Sequence, residues 1–310
     1  MSFSSKPYSS ASRQRGRSIV EVMIAMTISL FVMATVLALV AGSSRGSRTQ
    51  DSQSKLTENA QVALNLITGH LRMSGYSRPR VNAIPGASVA NYEGAAVRGC
   101  EGGFVDSTEP DMSLTLCVGG AGSEAISIAY EADINNTLVQ AANVPTDCLG
   151  QPLLAQPSAF GGVFFVAENR FYIDAAAGDP VLVCDGNGGP GFGNPQALIS
   201  NVEDFQVLYG VSDTGVTQFG NTEFNGRTER YLSANQLDAQ FPAENVMTRW
   251  SRVSSVRVCL LMRTDDDVTD ELTPYFDCFG NLVNPPDRRL RFAVSSTVNV
   301  RNNSAVVRNL

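Results

Sequence analysis

A run of 20 uncharged, mostly apolar residues opens at Val22 and closes at Ala41. At about 1.5 Å per residue, a helix of that length matches a hydrocarbon core about 30 Å thick, so the run is long enough to span a bilayer. A secretory signal that is cut off and lost has a shorter apolar stretch, about 7 to 15 residues, followed by small residues at the cleavage point. Val40 and Gly42 imitate such a point only weakly, and the polar sequence beyond them keeps a helical rhythm. Leu56, Ala60, Ala63, Ile67 and Leu71 recur at spacings of four, three, four and four, which draws one apolar stripe on an amphipathic helix. The spacing predicts a helix over residues 18–74 that outlasts the apolar run. Gly75 supplies its stop, and Pro79 disfavours helix at Arg78.

Beyond residue 75 the period changes. Alternation of apolar and polar positions over residues 125–130, 162–173, 202–209 and 290–300 predicts strands. Residues 253–263 read the same way: Val256, Val258, Leu260 and Met262 form one face, which puts Cys259 and Arg257 on the other. Gly, Pro, Asn and Asp crowd the intervals and predict turns and long loops, and residues 186–194 are too glycine-rich for a regular element. The expected fold is α+β: a long N-terminal α-helix, membrane-spanning in its first half, with its distal stripe packed on an antiparallel β-sheet head with large loops. No internal repeat is visible.

Composition sharpens this. With 310 residues, 43% hydrophobic and 17% charged, the chain has material for one sizeable head and is not a disordered tail. Lys6, Arg13 and Arg15 are the only charges in residues 1–16, so without that segment the formal charge of −7 becomes −7 − 3 = −10. An acidic chain lacks the basic surface that broad nucleic-acid binding needs. Basic residues do not decide its orientation in a membrane, because Arg17 and the leader face Arg45, Arg48 and Lys55 on the other side.

Glu21 is the only acid before the apolar run. At mid-bilayer a carboxylate costs about 2.5 to 3.5 kcal/mol, so it needs a cationic partner. Gly16, Arg17, Ser18, Ile19, Val20, Glu21, Val22 and Met23 together resemble the type IV prepilin processing site, in which a peptidase cuts after the glycine and the fifth mature residue is glutamate. The runs 56–61 (LTENAQ) and 71–76 (LRMSGY) resemble the helix end of the minor pilins of the PilW family, and 201–210 (NVEDFQVLYG) and the strand at 253–263 resemble that family's head. Much of residues 80–200 carries no such likeness.

The resemblance implies a prepilin leader at 1–16, a transmembrane and amphipathic helix at 17–75 and a periplasmic, β-rich pilin head at 76–310. It implies cleavage between Gly16 and Arg17 with methylation of the new amine, although pilins usually carry phenylalanine where this chain has Arg17. A new α-amino group, with an unperturbed pKa of about 7.7 to 8, is substantially cationic at neutral pH. Glu21 lies in the first helical turn, where negative charge also suits the helix dipole. The family role has this carboxylate meet the terminal amine of an adjacent subunit. Such a pair selects register more than it adds stability, since both charges lose water. Implied partners are other minor pilins, the major pilin, the prepilin peptidase, the inner-membrane assembly machinery and, through the apolar run, membrane lipid. The implied location is the inner membrane with a periplasmic head, then the pilus at the cell surface.

Six cysteines stand at Cys100, Cys117, Cys148, Cys184, Cys259 and Cys278, none in the leader or the helix. An even number confined to the exported part predicts disulfides; sequence permits 15 complete pairings, and pairing in chain order is our expectation. Pilins typically bound a variable C-terminal region with a disulfide, which by resemblance links Cys259 to Cys278. No CxxC occurs, which argues against a zinc ribbon.

Candidates for chemistry are few. His70, the only histidine, sits beside the stripe and reads as structural. No GxSxG elbow and no GxxxxGK[ST] loop occurs, so no catalytic set can be named. Asp265, Asp266, Asp267, Asp270 and Glu271 have the oxygen chemistry of a calcium loop, but a solvated acidic turn explains them as well. Asp185 and Asn187 begin a similar pattern that fails at Gly189. Trp250, Phe205 and Tyr209 are read as core aromatics at strand positions. We expect no cofactor and no resident metal. The functional expectation is a minor pilin that primes type IV pilus assembly and sits near the tip. The alternatives are a minor pseudopilin of the J type in type II secretion and a tip adhesin mounted on a pilin helix.

Overall fold

The computed structural model describes residues 16, 18–78, 90–120, 122–176, 178–212 and 227–303. Helix α1 (Ile19–Met73) has Glu21 in its first turn and Arg72 in its last, each sign at the end its dipole favours. Contacts divide the chain into Met1–Asp51 and Ser52–Leu310.

In the first unit the apolar side chains of α1 are exposed all round. The hydroxyls within this stretch are satisfied by the helix itself. Thr27 donates to the Ile24 carbonyl at 2.9 Å, Ser29 to Ala25 at 2.7 Å and Thr35 to Val32 at 2.8 Å, which removes the cost of placing them in hydrocarbon.

In the second unit the stripe is buried at every expected position, Leu56, Ala60, Ala63, Ile67 and Leu71, with Leu64 and Thr68 beside it. The helix stops because Gly75 takes a left-handed φ of 71°, a conformation that favours glycine. Its N–H then leaves the helix and donates to the Ala129 carbonyl at 2.8 Å. Pro79 lies outside the described residues.

The head contains two main antiparallel sheets where the sequence suggested one. The first uses β1 (Val97–Cys100), β2 (Ala125–Ala132), β3 (Ala155–Pro157), β4 (Val163–Asp174), β5 (Val181–Gly186) and β6 (Gln196–Ser200). Its order is β1-β2-β4-β5-β6, with β3 also paired to β4. The second uses β7 (Val202–Val211), β8 (Arg230–Leu232), β9 (Val253–Arg263) and β12 (Arg291–Asn299) in the order β12-β9-β7-β8. Two short helices, α2 (Ala234–Gln240) and α3 (Val246–Trp250), stand between β8 and β9, and β10 (Tyr275–Phe276) pairs with β11 (Leu282–Val283) as a small hairpin. Alternation marks a strand and its inner face, but says nothing of which strands pair at long range.

All eight residues of β2 are buried, because both faces are covered. Its register with β4 places Tyr130, Asn169 and Phe171 on one face, and Ser127, Glu168 and Arg170 on the other. The first face meets α1; the second closes over a buried ion pair. In the second sheet, Val256, Val258, Leu260 and Met262 are buried as expected, paired with Tyr209, Val207, Phe205 and Val202, while Arg257 is exposed on the outer face. Beside it Cys259 is linked to Cys278. The other pairs are Cys100–Cys117 and Cys148–Cys184, so the three bonds follow chain order.

One close approach shapes the region where the sheets meet. A Cβ on Gly99 would fall 1.9 Å from the Tyr209 hydroxyl oxygen, so only glycine fits in β1 there. Tyr209 is wholly buried and meets the Trp250 ring edge-on at 4.8 Å.

Candidate assembly interface

Gly16 is exposed ahead of α1, and Arg17 lies outside the described residues. Glu21 is exposed in the first turn, followed on the same helix by the exposed side chains Val22, Met23, Ile24, Met26, Ile28 and Leu30. By length and composition α1 is able to cross a membrane. The first half of the helix therefore offers a carboxylate, at the end where its dipole welcomes negative charge, and an exposed apolar surface.

Where the stripe meets the first sheet, His70 is half-buried between α1, β2 and β4. Its Nδ1 lies 3.0 Å from the Tyr130 hydroxyl and 3.2 Å from the Asn169 side-chain nitrogen, with the Phe171 ring at 5.4 Å. The Asn169 side-chain oxygen accepts the Cys148 N–H at 2.8 Å. Burial pushes His70 down to about 4, so it is neutral in the fold. This makes it a structural histidine.

A titration follows, with a definite sign. The unfolded chain takes up a proton near 6.5 and the folded one only near 4. Stability from this group is therefore complete above 6.5 and drains away as pH falls from 6.5 towards 4, by on the order of 3 kcal/mol. Melting curves of wild type and His70→Gln between pH 7 and 4 should diverge over that window, with the variant the flatter. Parallel curves would exclude His70 as the source.

Charged groups elsewhere in the head are used to fasten loops. Arg170, fully buried, is held by Glu168 at 2.7 Å and donates to the carbonyls of Ser107 and Glu109, both at 2.5 Å, beneath the Phe192 ring at 3.7 Å. Asp238 of α2 takes Arg98 at 2.8 Å, Arg249 at 2.9 Å and the Trp250 indole N–H at 2.9 Å. Those donors hold its carboxyl below the usual range, although burial works the other way. Glu124 accepts from the Val207 N–H at 2.7 Å, and burial pushes it up to about 8.

The remaining sequence candidates resolve as follows. Phe205 and Tyr209 lie on β7 in the core, but Trp250 is not on a strand; it closes α3. Asp185 is buried and accepts the Gly193 N–H at 3.0 Å, while Asn187 bonds the backbone of Glu168 and Val166 and continues the β5 edge past its end. In the acidic loop, Asp265 takes the Asn201 amide and Asp267 accepts the Arg288 N–H at 3.1 Å. Among the described residues no group of three or more His, Cys, Asp or Glu is arranged to hold a metal ion. Helix α2 was not anticipated. Its signal was present as Ser233 with Gln236 three residues later, which form a capping box.

Residues 170–302 match the family model described as Type IV Pilus-assembly protein W, PilW. That part of the head is PilW-like. The PilW match begins in β4, covers the whole second sheet and includes Cys184, Cys259 and Cys278. Among solved structures, a type IV-like pilin from Thermus thermophilus is similar over 81% of this chain and 99% of that one, at 15% identity and a TM-score of 0.38. No curated protein matches the sequence. The chain thus carries an apolar N-terminal helix and, over residues 170–302, a segment similar to a protein of type IV pilus assembly.

Proposed function

We propose that this chain is a minor pilin that helps to prime type IV pilus assembly and enters the filament, near its tip, through α1. The observation that carries the reading is the pairing of a PilW-like head with a helix that is apolar and uncovered through its first half and has a single carboxylate, Glu21, in its first turn. Residues 1–16 act as a leader, residues 17–75 as the assembly helix and residues 76–310 as the head. The peptidase cuts between Gly16 and Arg17 and the new amine is open to methylation. Glu21 then meets the terminal amine of a neighbouring subunit, so a misregistered neighbour leaves a carboxylate unpaired in an apolar surround. The role is structural, with other minor pilins, the major pilin and the inner-membrane machinery as partners. The head faces the periplasm before assembly and the cell exterior afterwards.

N-terminal sequencing and intact mass of the protein from host membranes test this first. A chain that starts at Arg17, and keeps residues 1–16 when the prepilin peptidase is deleted, is the expected result. A start near Ser43, or an unprocessed chain in the presence of the peptidase, would refute it.

A further inference from the structure

The Cys100–Cys117 bond closes a segment that the pilin reading leaves without a task. Phe104 and Cys117 form an antiparallel bridge, flanked by hydrogen bonds from the Val105 N–H to the Leu116 carbonyl at 2.9 Å and from the Val118 N–H to the Gly103 carbonyl at 3.0 Å. On such a ribbon, directly opposite residues share a face and neighbours alternate. Phe104, Thr115 and Cys117 therefore point inward. Thr115 is buried, Phe104 packs edge-on against Tyr172 at 6.2 Å, and Cys117 is tied to Cys100. Val105, Leu116 and Val118 share the outer face, 61%, 68% and 62% exposed, and Leu114, in the turn that leads into it, is 61% exposed.

Four adjacent branched apolar side chains facing water on a ribbon held rigid from beneath are a contact surface rather than scattered exposure. The inner side is fixed by the disulfide and by Arg170, which grips the carbonyls of Ser107 and Glu109. Little order remains to be lost on docking.

Charge states what docks. Residues 101–118 contain four acids and no Lys or Arg. Asp106 and Asp111 are exposed, and their carboxylates are held by local N–H and hydroxyl donors: Thr108 on Asp106 and Ser113 on Asp111, at 2.6 to 2.8 Å. The one cation beneath them, Arg170, is neutralised by Glu168. An anionic membrane surface is repelled by such a rim. A second copy of this chain is a poor match too, since it is acidic overall and spends Arg78, Arg98, Arg249, Arg252, Arg263 and Arg291 on its own carboxylates.

We infer that the outer face of this ribbon docks a different protein, one that presents an apolar strip flanked by Lys or Arg. The apolar side chains supply the contact area, and the acidic rim speeds encounter and rejects anionic surfaces. The ribbon lies outside the segment matched by PilW, and the inference does not depend on a place in the pilus.

A benzophenone amino acid at position 116 of the full-length protein, photolysed in the cells that make it, tests this, with the same probe at exposed Thr297 on β12 as control. The expected product joins position 116 to another protein, through a peptide whose apolar residues are flanked by Lys or Arg. Its yield should fall several-fold in high salt and in Asp106→Asn/Asp111→Asn, and be lost in Leu114→Ser/Val118→Ser. These exposed sites leave the fold intact, checked by melting and by the Cys100–Cys117 bond. No product, a product with this chain itself or with lipid, a peptide without basic residues, or the same product from position 297 would overturn the inference.

Discussion

Glu21→Ala should leave the head folded and lower incorporation into pili by about two orders of magnitude, the equivalent of about 3 kcal/mol for an ion pair broken out of water. The size follows from the solvent. The same carboxylate exposed to water would be worth a fraction of that, but Glu21 stands at the start of a 20-residue apolar run. Glu21→Gln separates charge from shape. It keeps the length and polarity of the side chain and should fail almost as badly, because an amide cannot neutralise an amine. Counting mutant and wild-type subunits in sheared pili from a mixed strain gives the result directly, and equal proportions would refute the role assigned to Glu21. Melting of the head reports on residues 52–310 and should not change.

Glu168→Ala should destabilise the head by about 3 to 5 kcal/mol, a large part of the 5 to 15 kcal/mol that holds a typical domain together. Arg170 has no exposed surface, and Glu168 is its counter-charge. Burial pushes the Glu168 carboxyl upward while Arg170 pulls it down. Removing the carboxylate strands a guanidinium that two carbonyls and an aromatic ring cannot neutralise. The expected losses are greatest in the loop at 104–111 that those carbonyls anchor. The double variant Glu168→Leu/Arg170→Met removes both charges and should recover most of the stability. Chemical denaturation of the full-length protein in detergent is the measurement. A loss below about 1 kcal/mol for Glu168→Ala would place the pair among the weak surface type.

The parts of this fold that were legible in the sequence are those fixed by local period. The stripe on α1 was readable because five apolar residues keep helical spacing across four turns, and all five are buried. The inner face of β9 was readable because Val256, Val258, Leu260 and Met262 recur at every second position, although Leu261 on the other face is apolar and buried too. Strand β1 was not, since it is four residues long and includes Arg98 and Gly99, which look like loop until Asp238 and Tyr209 are brought to them from more than 100 residues away. The same distance hid the division into two sheets. Burial of Glu168, Asn169 and Arg170 was also beyond reach, because three polar residues in a row read as an exposed edge, whereas both faces of β4 are covered at that point. At the N-terminus the motif from Gly16 to Glu21 lies in primary sequence, and no packing is needed to see it.

The three disulfides close the segments 100–117, 148–184 and 259–278, which neither overlap nor enclose one another. The cysteines thus pair first with second, third with fourth and fifth with sixth. A head delivered to an oxidising compartment in chain order presents each correct partner before any later cysteine can compete. Crosslinks formed in that order would leave an isomerase nothing to repair.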